Sequence, residues 1–216
     1  MIKKITFLLV LIGWQNVFAA NDFDGGYFFT SLGQTNYADL TTNSDMQRLE
    51  NHLLASPDVV SADLDADKTS TSFSLGMGYV FHKYLAVEAS YQYLGSVKVS
   101  GTLTEDNNDT EAYSRERITA GFDIRTVLSV PIYKRFEAFV NWGALLWSRE
   151  TKVINDSTDE NSITKDNGLE VVFGGGVQYL IPNSFGFSVA WEQYNIAQKN
   201  VDVIKATLLY DFDIPL

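Results

Sequence analysis

The chain has 216 residues, of which 45% are apolar and 13% aromatic, and its formal net charge is −11. This composition is typical of a folded protein, and the length suffices for one β-barrel or one to two small domains. The acidic balance argues against nucleic acid and other polyanions as partners, and the absence of cysteine excludes disulfides, a thiol nucleophile and a cysteine-ligated zinc site.

The N-terminal residues 1–19 predict a secretory signal peptide. Two lysines near the start precede an apolar core at residues 5–12 and a small-residue cleavage pattern that ends at Ala19. The apolar core is too short for a transmembrane helix, and the rest of the sequence contains no run of about 20 apolar residues. Cleavage after Ala19 is the first choice and cleavage after Ala20 the second, so we expect an exported domain over residues 20–216.

Alternation of apolar with polar or small residues predicts β-strands rather than helices in the rest of the chain. The clearest pair is a hairpin at residues 72–95, whose polar face carries Glu88 at mid-strand. In the first strand the outer set is either Tyr27 with Phe29 or Phe28 with Leu32. The eight predicted strands are residues 25–37, 72–81, 85–95, 114–131, 136–148, 169–181, 185–194 and 201–212.

The connections between these strands separate membrane barrels from soluble ones. Three long polar loops, at residues 38–69, 96–113 and 149–167, alternate with tight turns, and a moderate loop covers 195–200. A soluble barrel or sandwich has the same strand pattern but no reason to sort its loops in this way. Strands of about ten residues with aromatic ends are typical of outer-membrane barrels. We therefore predict an all-β, eight-stranded antiparallel up-and-down transmembrane β-barrel with three long extracellular loops and short periplasmic turns.

The predicted lumen is polar and partly charged. Side chains can fill the lumen of an eight-stranded barrel, so we expect a packed polar network, with a gated ion path through rearranged pairs as the alternative. Arg125 and Lys205 are the expected partners of Glu88 and Glu192. The inward polar residues are Glu88, Asp123, Arg125, Glu137, Asn141, Glu170, Glu192, Lys205 and Asp211.

The first long loop contains a candidate contact surface. Residues 44–55 predict a short surface helix with Met46, Leu49 and Leu53 on one face. Loops on a rigid scaffold are a usual place for binding, so this face is the candidate contact with a host or neighbouring cell.

No catalytic, cofactor or metal site is predicted. The two histidines, His52 in a loop and His82 in a turn, lack the nearby serine that a lipid-modifying barrel enzyme needs. The motif Asp63-x-Asp65-x-Asp67 matches the first half of a calcium loop, but Lys68 replaces its glycine and Ser74 its final acid. We expect a monomer with no enzymatic activity.

Three stretches carry a resemblance to a known family. GYVFHKYLAVEASYQYLG at 78–95 resembles the second and third strands of the OmpA-type transmembrane domain. VFGGGVQYLIPNSFGFSVAWEQYN at 172–195 is similar to the sixth and seventh strands, and ATLLYDF at 206–212 to the eighth. The resemblance implies location in the outer membrane among lipid and lipopolysaccharide, and assembly by periplasmic chaperones and the barrel assembly machinery.

The resemblance also implies inward glutamates at Glu88 and Glu192, paired with basic lumen residues. The basic residue expected a few positions before the Pro131 turn is displaced to Arg125, and the one expected ahead of the last strand is missing, with Gln198 near its place. Larger relatives add a peptidoglycan-binding domain, whereas four residues follow Phe212 here, which indicates a barrel-only member similar also to the accessory colonization factor barrels of Vibrio. The predicted function is structural or surface-interactive, with loops that mediate adhesion or colonization; the alternative is a small gated channel.

Overall fold

The computed structural model describes residues 25–37, 47, 49–51, 53–55, 59–106, 109–155, 160–181, 185–197 and 199–212. Within them, eight antiparallel strands form a closed ring, in which β1 pairs with β9 and β4 pairs with both β3 and β5. The predicted all-β barrel is therefore confirmed. The strands are β1 (Gly25–Asn36), β2 (Val59–Ala66), β3 (Thr69–His82), β4 (Leu85–Glu105), β5 (Thr110–Tyr133), β6 (Phe136–Asn155), β7 (Glu160–Leu180), β8 (Phe185–Ile196) and β9 (Lys199–Phe212).

The side chains of the ring alternate between an apolar exterior and a filled interior. In β1, Tyr27 and Phe29 point inward and are each 4% exposed, whereas Phe28 and Leu32 are 46% and 68% exposed. Of the two alternatives for the first strand, Phe28 with Leu32 is therefore the outer set. An exterior belt of large apolar side chains of this size is unfavourable in water and is what the hydrocarbon core of a membrane requires.

Aromatic side chains lie at both edges of the apolar exterior: the ring pairs Phe73–Tyr91 and Tyr91–Phe122 lie at the edge far from the tight turns, and other pairs lie at the tight-turn end. Ring pairs there have centroid distances of 4.3 to 5.2 Å. Such rings are enriched where a membrane meets water, because their apolar body and polar edge suit that boundary. The pairs are Phe28–Phe212, Phe136–Tyr179 and Phe185–Tyr210.

Four strands continue far beyond the length that a membrane needs. Strands β4 to β7 have 20 to 24 residues, whereas about 9–11 residues span a bilayer. The pairing of β4 with β5 reaches Thr104 opposite Thr110, and β6 pairs with β7 up to Asn155 opposite Glu160. The predicted loops at 96–113 and 149–167 are thus wrong in their greater part. Their polar outward positions had hidden the strand pattern.

A ninth strand lies within the predicted first loop. β2 pairs with the far half of β4 and leads directly into β3, so the two strands run along the same edge of β4. The register shifts at Gly95, where φ is +88° and a Cβ would lie 2.3 Å from Ser70 Oγ. Glycine is needed at this bulge because no side chain fits there. We call β2 and residues 96–105, 110–118, 149–155 and 160–167 the extracellular sheet.

The predicted surface helix is partly described. Residues 47, 49–51 and 53 are helical, and the Leu54 N–H donates to the Glu50 carbonyl at 2.9 Å. Leu49 and Leu53 are half-buried, while Met46 lies outside the described residues. In the described parts of the chain, no helix is both long and apolar enough to cross a membrane. The predicted signal peptide, residues 1–19, also lies outside the described residues.

Candidate functional site in the barrel lumen

A cluster of charged side chains lies at mid-height inside the barrel. The Arg125 guanidinium forms ion pairs with Glu192 and Asp123, and its Nε lies 3.8 Å from Glu88 Oε2. Lys205 Nζ lies 2.8 Å from the second carboxylate oxygen of Glu192. The structure thus brings five of the nine polar residues predicted to point into the lumen together in one ion-pair cluster, with Arg125 and Glu192 at the centre.

Neutral side chains donate further hydrogen bonds to the carboxylates of this cluster. The Tyr27 hydroxyl donates to Glu88 at 2.7 Å, and the Tyr194 hydroxyl donates to Glu192 at 2.7 Å. Asn141 Nδ2 also donates to Glu192, at 3.1 Å. Sequence reasoning missed both tyrosines as partners. Tyr194 could have been found, because it lies two residues beyond Glu192 and therefore on the same face of β8.

Glycines on neighbouring strands provide the space for the two central side chains. Arg125 is opposite Gly143 on β6, and Glu192 is opposite Gly174 on β7. A Cβ at residue 143 would lie 2.6 Å from Arg125 Cα, and one at residue 174 would lie 2.7 Å from Glu192 Cγ. Larger residues would therefore displace the central pair.

Apolar layers close the lumen on both sides of the charged cluster. The outer layer lies toward the extracellular end and includes fully buried Tyr37, Leu94 and Leu145. The inner layer, toward the tight turns, consists of Tyr27, Phe29, Ala86, Val127, Leu180 and Leu209, with Val80 and Phe139 against it. Between the layers, the cavity beside Arg125 has a volume of about 30 Å³, which accommodates a water or two. The described side chains therefore form a plug.

The remaining predicted inward residues lie outside the central cluster. Glu137 is 2% exposed and accepts a hydrogen bond from Gln178 Nε2 at 2.7 Å. Glu170 and Asp211 are half-buried. The cluster itself holds three carboxylates against two cations, so its carboxylates depend on both ion pairs and neutral donors.

The histidine and aspartate motifs of the sequence are described in part, and their described members are exposed. His82 is exposed at the end of β3, and the centres of its ring and the Tyr84 ring are 5.6 Å apart. His52 is outside the described residues. Asp63 and Asp65 are exposed on β2. Among the described residues, no group of three or more histidines and acids is placed to hold a metal ion.

Comparison with known proteins agrees with this architecture. The family model of the OmpA-like transmembrane domain matches residues 19–207. Outer membrane protein A of Shigella dysenteriae is 28% identical over 104 residues, which cover 48% of this chain and 27% of that protein. The chain thus matches little more than a quarter of the length of this relative.

Two solved structures also align with most of the chain. Outer membrane protein OprG of Pseudomonas aeruginosa is 10% identical with a TM-score of 0.48, and the alignment covers 89% of this chain and 98% of that one. The attachment invasion locus protein Ail of Yersinia pestis is 12% identical with a TM-score of 0.47, over 87% of this chain and 99% of that one.

Proposed function

Because this chain belongs to the family of OmpA-like transmembrane domains and is located in the outer membrane, we propose that it is a closed barrel that presents a rigid contact surface outside the cell. The barrel is the anchor, and the extracellular sheet is the part that meets other surfaces. The proposal includes adhesion or colonization as the biological role and includes no catalysis.

The length of the extracellular sheet is the observation that carries this proposal. Outward residues change from apolar to polar along each long strand, for example from Leu146, 59% exposed, to Ser148 and Glu150. This change marks the edge of the membrane. Beyond it, cross-strand hydrogen bonds hold the sheet in one shape, and a preformed surface loses little entropy when it binds.

The helical segment with Leu49 and Leu53 is the second part of the proposed contact surface. Both side chains are half-buried and lie four residues apart, on one face of the helix. We further propose that lipopolysaccharide surrounds the barrel, that periplasmic chaperones and the barrel assembly machinery insert it, and that it acts as a monomer.

The experiment compares two deletions in the full chain. The first removes residues 99–115 and joins Lys98 to Glu116, which are cross-strand neighbours, through a short glycine-containing turn. The second removes residues 46–58. We expect each deletion to reduce attachment to host cells or an abiotic surface while outer-membrane levels and heat-modifiable gel mobility are retained. Unchanged attachment in both variants would overturn the proposal.

The alternative function is a small gated ion channel through rearranged pairs of the charged cluster. The apolar layers above and below Arg125 support a closed lumen instead. Planar-bilayer recording separates the two functions. A closed lumen predicts conductance at background level for the wild-type protein. Sustained conductance that disappears in Glu88→Ala or Arg125→Ala would establish the channel.

A further inference from the structure

Three arginines lie on the inner face of the extracellular sheet, above the apolar plug. Arg115 and Arg117 occupy alternate inward positions on β5, and Arg149 lies on the neighbouring strand β6, opposite Thr119. Arg115 and Arg117 continue the row of inward residues on β5 that contains Asp123 and Arg125 deeper in the barrel. The lumen network and the closed-barrel function involve none of these three arginines.

Three buried donors near this face have no acceptor among the described residues. Arg149 is 7% exposed, and its guanidinium carbon lies 5.1 Å from the centre of the Trp147 ring, which is itself 5% exposed. Arg149 Nη2, Arg115 Nε and Trp147 Nε1 are buried and have no hydrogen-bond partner among the described residues. A buried donor without an acceptor is costly, and more so when it is charged. Such a group of donors is suited to a ligand that brings acceptors.

The charge on the inner face is opposite to that of the whole chain. Glu116 and Glu150 project from the outer face of the same strands, because they alternate with the inward residues. On the inner face, Asp166 is opposite Arg149 on β7 but forms no ion pair with it within 4 Å among the described residues. Among the described residues, this face therefore carries more positive than negative charge, although the net charge of the chain is −11.

We propose that the stacked pair Arg149 and Trp147, together with Arg115 farther out on β5, forms a binding site for one sulfate or phosphate group carried by a small ligand such as a sugar. Guanidinium groups match the oxygens of such anions with paired donors, and the indole N–H adds a neutral one. Acidic side chains around the sheet, such as Asp63 and Asp65, disfavour long polyanions, so a ligand with few charges fits better.

The electrostatic environment of Arg149 supports this site. Burial lowers the pKa of Arg149; Tyr37 and Asp166 oppose that shift, and the positive charge of Arg115 adds to it. A bound anion would offset the cost of desolvating Arg149 and reduce its repulsion from Arg115. The site deepens the proposed surface role by naming a ligand class. Its test uses purified protein, so the binding result and the attachment result can fail separately.

The test is titration calorimetry of the full-length protein in detergent at low ionic strength. The probes are inorganic sulfate, inorganic phosphate, a sulfated disaccharide and lipopolysaccharide. We expect Arg149→Gln and Arg115→Gln each to weaken anion binding about tenfold, since each removes charge-assisted hydrogen bonds. The matched control is Lys165→Gln, which removes one positive charge from the outer face of the same sheet, where the side chain is 70% exposed. Its effect should stay within about twofold.

The probes also identify the source of the anion. Binding of the sulfated disaccharide without lipopolysaccharide supports an external glycan, and the reverse supports a phosphate of the surrounding membrane. Arg149→Lys tests the geometry, because it keeps the charge and loses the paired donors. No binding of any probe would overturn the site, as would an equal loss in Lys165→Gln. Heat-modifiable gel mobility confirms that each variant is folded.

Discussion

Arg125 and Glu192 lie 67 residues apart on β5 and β8 and form an ion pair that is almost fully excluded from solvent. Each of them is shared, because Arg125 also contacts Asp123 and Glu192 also contacts Lys205. Removal of one member therefore leaves several buried charges without compensation. A buried pair of this kind is expensive to break even where its formation contributes little net stability.

Arg125→Met should lower the free energy of unfolding by about 3–5 kcal/mol, because three lumen carboxylates would remain and Lys205 would be the one cation left in the cluster. Reversible urea unfolding in lipid vesicles, followed by tryptophan fluorescence, measures this change. Methionine approximates the length of the arginine side chain, so the loss reports on charge more than on volume.

A double-mutant cycle with Glu192→Met is the control for this prediction. When both members of the pair are replaced by apolar side chains, less buried charge is left unpaired, and the double variant should be more stable than the sum of the two single losses predicts. Strictly additive losses would show that Arg125 and Glu192 do not interact energetically, contrary to the structure.

Gly174 is predicted to be essential for the packing of Glu192. Gly174→Ala would place a Cβ 2.5 Å from the Trp191 carbonyl oxygen and 2.7 Å from Glu192 Cγ, and we expect a loss of about 1–3 kcal/mol from overpacking. Gly175→Ala is the neighbouring control, since its Cβ would meet one backbone oxygen at 2.9 Å and a side chain at 3.5 Å. Urea unfolding should give a lower free energy of unfolding for Gly174→Ala than for Gly175→Ala. The reverse order would contradict the packing of Glu192 against Gly174.

The membrane-spanning strands could be predicted from the sequence because one face of each strand contacts lipid and the other faces the lumen. Ile124 faces hydrocarbon and Arg125 faces the lumen, so the chemistry of neighbouring residues alternates with the geometry of the strand. The same alternation placed Glu192 and Lys205 inside. Arg125 and Lys205 were expected to pair with Glu88 and Glu192, but which cation meets which carboxylate depends on the register between strands that are distant in sequence.

The extracellular sheet could not be predicted from the sequence, because its strands have no lipid-facing side and so lack the contrast that marks the membrane-spanning strands. Outside the membrane, Lys98 and Glu116 are opposite each other on an outward face that meets water, and polar residues there are indistinguishable from loop residues. The pairing itself is long-range information. The arginine cluster was not predicted, because the net charge of a chain does not show the charge on one face of a sheet. Arg115, Arg117 and Arg149 nevertheless occupy inward positions of the alternating pattern, so the sequence contains this information.

The β6–β7 part of the extracellular sheet should lose protection at low pH. The Glu150 carboxylate lies 3.4 Å from both Lys152 Nζ and Lys165 Nζ, and hydrogen bonds from Lys152 and then Lys165 hold its pKa below the usual value. A lowered pKa stabilises the folded hairpin above the ordinary pKa of glutamate, and this contribution is lost as pH falls through the lowered pKa.

Amide hydrogen exchange of residues 149–167 at several pH values measures this loss. Glu150→Gln is the matched variant, since it keeps the shape of the side chain and cannot titrate. Its exchange rates, corrected for the intrinsic effect of pH, should not change across the window in which the wild-type hairpin loses protection. The prediction would be wrong if both proteins responded to pH in the same way.

Two isoleucines of nearly equal exposure test where the membrane ends. Ile124 is 59% exposed near the middle of the outward apolar stretch of β5, and Ile163 is 61% exposed on the extracellular part of β7. Ile124→Lys should lower the free energy of unfolding in vesicles by about 2–4 kcal/mol, because a lysine on the lipid face near the midplane of a barrel is costly. Ile163→Lys should change it by less than about 0.5 kcal/mol, since water already surrounds that position. In a soluble barrel the two substitutions would have the same small effect, so equal values would refute the membrane boundary placed between Leu146 and Ser148.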